Sequence, residues 1–84
     1  MTEFIHYFTQ IQGLSGKVLV EHSLFGRRVY RCEKFDVVND DDKIGLHLIG
    51  QDVYVYKEHI KLSKVYDKMF MIADDFLQLT IIVN

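Results

Sequence analysis

Lys17-Val18-Leu19-Val20-Glu21-His22-Ser23-Leu24-Phe25-Gly26-Arg27-Arg28-Val29-Tyr30-Arg31-Cys32-Glu33-Lys34-Phe35-Asp36-Val37-Val38 runs on with no proline and one glycine. Lys17 to Leu24 alternates Val18 and Val20 against polar Lys17 and Glu21, and Arg27 to Val38 is rich in β-branched and aromatic residues. Alternation with a period of two puts one set of side chains on one face of a strand. The pair therefore reads as a hairpin turning at Leu24-Phe25-Gly26, with Gly26 supplying the left-handed residue of a three-residue loop. That loop sets Val20 across from Tyr30 and Val18 across from Cys32. A two-residue loop would set Val20 against Arg31 and Val18 against Glu33, so the longer loop is preferred.

The register of the next hairpin conflicts with this one. Flanking the Asn39–Asp42 turn with Val38 and Lys43 pairs Phe35 with Leu46 and Val37 with Ile44. Tyr30 and Cys32 have the opposite parity to Phe35 and Val37, so a bulge or sharp bend is expected near Glu33-Lys34. Long bent strands are what curl a small sheet into a barrel.

Outward from this stretch, Ile44, Leu46 and Leu48 alternate, Val53 to Tyr56 is a short strand, and Leu62 to Ile72 is ambiguous. Leu77, Leu79, Ile81 and Val83 line one face of a closing strand, with Gln78 and Thr80 opposite. Asn39-Asp40-Asp41-Asp42, Gly50-Gln51-Asp52 and Asp74-Asp75 carry turn chemistry, and Lys57 to Ile60 suits one helical turn. Residues 2–12 read as a helix. Thr2 suits the N-cap, Glu3 the first turn and Gly13 the left-handed C′ position. Phe4, Phe8 and Ile11, widened by Ile5, make a stripe that must dock on the strands, because so short a helix is marginal alone.

The expectation is a mainly β chain, α+β by count. It is one domain over residues 1–84, with an N-terminal helix and a five- to six-stranded antiparallel meander curled into a small barrel. An open sheet with the helix over one face is the competitor. The closing strand is apolar and nearly uncharged, so a free edge there would invite pairing with another subunit. In mid-sheet it would not.

The chain has 84 residues, 49% of them hydrophobic and 26% charged, with net charge −2, which sets it apart from disordered chains. No apolar run approaches the roughly 20 residues of a membrane span. A single cysteine forms no internal disulfide, and Met1-Thr2-Glu3-Phe4 lacks a basic signal-peptide start, so a cytoplasmic protein is expected. No internal repeat or linker interrupts it. The slight acidity argues against a membrane surface and gives nucleic acid no general attraction.

The candidate chemistries are few. Asp40, Asp42 and Gly45 match three positions of a calcium loop, but Ile44 and Gln51 occupy positions that need oxygen ligands, so a solvated turn is expected. His6, His22, His47 and His59 show no paired ligand spacing. Cys32 and His47 become diagonal neighbours in the expected register, yet nothing in the sequence orients the imidazole, and a cysteine of core parity is ordinarily a small buried hydrophobe. Asp74-Asp75 and the Asp40–Asp42 run are turn formers rather than an acid/base pair.

Phe35-Asp36-Val37-Val38-Asn39, after a glycine-led strand, resembles the first motif of the Sm-like RNA-binding barrels, which also open with a helix. That motif has two residues between the Asp and the hydrophobic-Asn pair, where this chain has one. The family's Ile-Arg-Gly is echoed only by Ile49-Gly50, without the arginine. No RNA-binding residue is carried over.

No enzyme, metal, cofactor or small-molecule substrate is expected, since a barrel this small fills its interior with its own side chains. The leading expectation is a non-enzymatic interaction module that binds a protein partner or itself through Tyr54, Tyr56, Tyr66 and Phe70. The alternative is a single-stranded nucleic-acid binder, with Arg27, Arg28 and Arg31 beside Tyr30 and the other tyrosines as stacking platforms. Its competitor is a mixed-charge surface in which Arg28 pairs with Glu21 or Asp52.

Overall fold

The computed structural model describes residues 2–84. Helix α1 (Thr2–Thr9) buries Phe4 and Phe8. Thr2 is its first helical residue rather than the N-cap expected of it. The helix is shorter than 2–12 because its end tightens. Gln10, Ile11 and Gln12 donate N–H bonds to carbonyls three residues back, at 3.2, 3.2 and 3.4 Å. Gly13 then takes φ +83°, the left-handed position expected of it. Its N–H bonds to the Phe35 carbonyl at 2.9 Å, and Phe35 N–H bonds to the Leu14 carbonyl at 2.7 Å, tying the helix exit to the middle of the chain.

Eight strands follow: β1 (Gly16–His22), β2 (Gly26–Cys32), β3 (Val37–Asn39), β4 (Lys43–Leu48), β5 (Gln51–Tyr56), β6 (Leu62–Tyr66), β7 (Met69–Ala73) and β8 (Leu77–Val83). A single 3-10 turn, Lys57–His59, joins β5 to β6 as expected. All pairings are antiparallel, in a five-stranded sheet of order β2-β1-β8-β7-β6 and a three-stranded sheet of order β3-β4-β5.

The barrel is not formed. The two sheets stay open, and the ambiguous stretch 62–72 is a further hairpin turning at Asp67-Lys68, which raises the strand count above the expected five or six. The order is also not a meander. β8 inserts between β1 and β7, so the apolar closing strand is paired on both sides and has no free edge. The hazard that suggested subunit pairing there is absent.

The expected kink lies where the parity conflict put it and does more than bend one strand. Residues 33–36 break the ladder and carry the chain from the five-stranded sheet into the three-stranded one, with Phe35 buried at the corner. Both flanking registers keep the expected parity but slide by two. Val20 faces Arg28 and Val18 faces Tyr30, because the first loop is Ser23-Leu24-Phe25 with Gly26 (φ +82°) opening β2. Val37 faces Leu46 because Asp40 N–H closes on the Lys43 carbonyl at 2.9 Å, which shortens the turn.

Phe4, Phe8, Val18, Phe35, Leu46, Ile72, Leu79 and Ile81 form one core between the helix and the sheets. The rings of Phe4 and Phe8 lie 5.4 Å apart and meet Phe70 edge-on at 6.2 and 6.0 Å. Among the described residues no buried side-chain polar atom lacks a partner. Directly opposed residues share a face, so Leu19, Thr80 and Met71 lie in one row across the other side of the five-stranded sheet, with Lys17, Ile82 and Met69 in the next.

Candidate functional site

The open seam between the sheets is a cleft. It has a volume of about 410 Å³ and is lined on one side by Val20, His22, Arg28, Tyr30 and Leu77, on the other by Gln51, Asp52, Val53 and Tyr54. Strand alternation explains which residues reach it. Arg28 and Tyr30 share the face of Val20 and Val18, the core side of the sheet, whereas Arg27 and Arg31 oppose Glu21 and Lys17 on the outer side. The arginine cluster of the sequence is therefore divided. Among the described residues no ion pair involves an arginine, so the expected pairing of Arg28 with Glu21 or Asp52 is not made.

Two hairpin ends border the cleft, and both carry large apolar residues where turns ordinarily carry polar ones. At the β1–β2 end Leu24 is 79% exposed and Phe25 83%. At the β4–β5 end Ile49 is 84% exposed. Phe76, itself exposed, adjoins the first end because Ser23 N–H bonds to its carbonyl at 2.9 Å. The turn that presents Phe76 is built by Asp74, whose Oδ1 accepts the N–H groups of Phe76 (2.8 Å) and Leu77 (2.7 Å). The ring of Phe25 lies 4.6 Å from that of His22, and His22 Nδ1 accepts the Leu24 N–H at 3.0 Å. That bond assigns the proton of the neutral imidazole to Nε2.

Ile49 is held under strain. Leu48 pairs with Gln51, so Ile49-Gly50 is a two-residue loop with φ of +45° and +81°, a type I′ turn. Gly50 suits it, but a β-branched residue in the left-handed region does not.

On the far face of β5, Tyr54 and Tyr56 stand edge-to-face at 5.4 Å, and the Lys43 ammonium sits 4.7 Å over the Tyr54 ring. No side chain fits at Gly45, opposite Tyr54, where a Cβ would meet the Val53 carbonyl oxygen at 2.0 Å and Tyr54 Cα at 2.6 Å. Hydrogen bonding to Tyr54 is the largest cause pushing the Tyr56 phenol up, followed by the charge of Tyr54, with Asp42 adding last. Beside them His47 Nδ1 lies 2.7 Å from Asp52 Oδ1.

The four residues expected at a protein interface fall apart. Tyr54 and Tyr56 share one strand of the smaller sheet, Tyr66 is exposed on β6 in the larger sheet, and Phe70 is only 7% exposed, its ring held by Phe4 and Phe8. Cys32 and His47 do not meet. Cys32 pairs with Gly16 in the larger sheet, His47 with Asp52 in the smaller one, and burial pushes the Cys32 thiol up, away from the thiolate. The Asp40–Asp42 turn is a hairpin turn whose Asp42 carbonyl accepts Lys57 N–H at 2.8 Å. Among the described residues no three His, Cys, Asp or Glu side chains converge as metal ligands, and no helix is long and apolar enough to cross a membrane.

Leu24, Phe25, Ile49 and Phe76 escape the reading of the sequence. Their signal was there: bulky apolar residues at turn positions that also hold Gly26, Gly50 and Asp74. No family model, no curated protein and no solved structure matches this chain. Its fold and cleft define it as a small mainly β domain of two open antiparallel sheets.

Proposed function

We propose that this protein is a non-enzymatic interaction module that docks a protein partner over the seam between its sheets. The observation that carries the reading is that, among the described residues, the most exposed large apolar side chains, Ile49, Phe25 and Leu24, sit at two hairpin ends, from which Phe25 and Gln51 line one cleft. A contiguous exposed apolar patch with a polar surround is the ordinary mark of a protein-binding surface. Aromatic residues and arginine, both present in the cleft, are the side chains that dominate binding energy when buried at the centre of an interface. A reducing, cytoplasmic setting suits the lone Cys32 thiol.

A second reading keeps the nucleic-acid alternative alive, because Arg28 and Tyr30 share the cleft, a cation beside an aromatic side chain, with Tyr54 at its border. It ranks lower because Arg27 and Arg31 point the other way and leave no continuous basic track.

The test is affinity capture with the full chain and with a variant carrying Leu24→Ser, Phe25→Ser and Phe76→Ser, all at exposed positions. The expected result is a protein retained by the native chain and lost by the variant. Identical capture by both refutes the reading, and bound nucleic acid that elutes with salt puts the alternative first.

A further inference from the structure

We propose that the cleft receives an extended peptide segment of the partner, which adds as a fourth strand to the free edge of β5 and sets an acidic side chain against Arg28. This deepens the protein-docking reading and rests on it.

The argument starts from a comparison of the free strand edges. An unpaired edge invites another strand, and proteins guard such edges with charge, brevity or cover. β2 carries Arg27, Arg28 and Arg31, and β6 carries Lys64. β3 is three residues long, and its Val37 N–H is taken by Gln12 Oε1 at 2.7 Å. β5 is six residues long, and Gln51-Asp52-Val53-Tyr54-Val55-Tyr56 holds no lysine, arginine or proline. Its single charge, Asp52, is engaged by His47. Two edge strands border the cleft, β2 and β5, and of these β5 is the one without arginine or lysine.

Turn geometry says which backbone groups are offered. A two-residue hairpin loop makes its flanking pair, Leu48 and Gln51, a hydrogen-bonded pair. Alternation then aims the N–H and C=O groups of Asp52, Tyr54 and Tyr56 away from β4. Among the described residues no further backbone bond uses them. Asp52 and Tyr54 both line the cleft.

The wall opposite defines the side chains of the guest. A strand added here points alternate residues to the side of Val53, where Val20, Tyr30 and Leu77 present an apolar and aromatic surface. Arg28 stands in the same wall with no anionic partner among the described residues, and a carboxylate on the guest supplies one. The occupant is therefore an extended segment with alternating apolar residues and an Asp or Glu.

The experiment pans a displayed library of random peptides on the full 84-residue chain, then follows amide hydrogen exchange of the isotope-labelled protein with a selected peptide. Strand addition requires three results. The selected peptides share an acidic residue within an alternating apolar pattern, and exchange at Asp52 and Tyr54 slows by tenfold or more. N-methylation of the peptide abolishes binding at alternate backbone positions only. Arg28→Gln weakens binding by about 10- to 100-fold, the range of a lost charge-assisted hydrogen bond, and its unchanged melting curve separates this from misfolding. Peptides that perturb only Leu24 and Phe25 amides overturn strand addition while leaving rim docking standing. A library that yields no binder, or a homodimer that protects Asp52 and Tyr54 without peptide, overturns the assignment of the occupant.

Discussion

Replacing Ile49 with asparagine stabilises this protein, and the size of the gain follows from its turn. A non-glycine residue in the left-handed region costs about 1–2 kcal/mol, and a β-branched one sits at the high end. Asparagine tolerates that region, and Asn-Gly is the preferred pair for a type I′ turn. The opposing loss is small. Ile49 is 84% exposed, so only a small part of the ~1.5–3 kcal/mol of full isoleucine burial is forfeited, about 0.2–0.5 kcal/mol. The net expectation is about 1 kcal/mol of added stability. For a domain of this size that raises the melting midpoint by about 4–8 °C. In urea it moves the unfolding midpoint up by about 0.5–1 M at an unchanged slope. The chain has no tryptophan and five tyrosines, so tyrosine fluorescence and far-ultraviolet circular dichroism are suitable probes. An unchanged or lowered midpoint refutes the reasoning, because it would mean that Ile49 pays for its strained backbone with contacts the structure does not contain. The same substitution removes an apolar rim side chain, so under the docking reading proposed above the stabilised variant is expected to capture less partner than the native chain. Higher stability together with lost capture would be the pattern expected of strain kept at a functional site.

Other expectations separate core from surface. Phe70→Ala empties a site against the stacked rings of Phe4 and Phe8 and costs about 3–5 kcal/mol, whereas Tyr66→Ala changes the unfolding free energy by less than about 0.5 kcal/mol; equal effects would contradict the division of these two residues between core and surface. Lys68→Gly relieves a second left-handed residue, at φ +61°, and is expected to add about 0.5–1 kcal/mol by urea titration. Because burial raises the Cys32 thiol, its reaction with a disulfide reagent follows a pH profile displaced above that of free cysteine; a profile at or below the free thiol's would refute the placement. The matching stability term is full below the unfolded-state pKa of the thiol and fades as pH climbs through the folded one.

Much of this architecture is legible in the chain. The helix stripe of Phe4, Phe8 and Ile11, the left-handed Gly13 and Gly26, and the corner at Glu33–Asp36 all follow from period and parity. Parity survives because a strand's faces are set by counting in twos, while absolute register slid by two at both hairpins because turn bonding decides where a loop closes. Strand order was beyond reach. Nothing local tells β8 to lie between β1 and β7 rather than follow at the end, since burial on both flanks depends on partners distant in the chain. The site was half visible. The protein-interface expectation takes Tyr54 without Arg28 and Tyr30, the nucleic-acid alternative groups all three, and the structure lines the seam between the sheets with them. The rim is hard to read because its residues sit in turns, where glycine and aspartate carry the conformational signal and Leu24, Phe25, Ile49 and Phe76 carry none.

The central position of β8 has a consequence for the birth of the molecule. β1 pairs with residues 77–83 along its whole length, and Asn84 is clasped to Ser15 by a backbone bond of 3.0 Å and a side-chain bond of 3.1 Å. Residues 16–22 and 77–83 therefore complete each other from opposite ends of the described chain. On the ribosome the first hairpin must wait, one flank bare, until β8 emerges from the exit tunnel. Topologies dominated by such distant pairings fold slowly, and a nascent chain stalled before Leu77 displays two raw strand edges at once. The folded domain is protected by its eighth strand, and its moment of greatest exposure to aggregation comes just before that strand arrives.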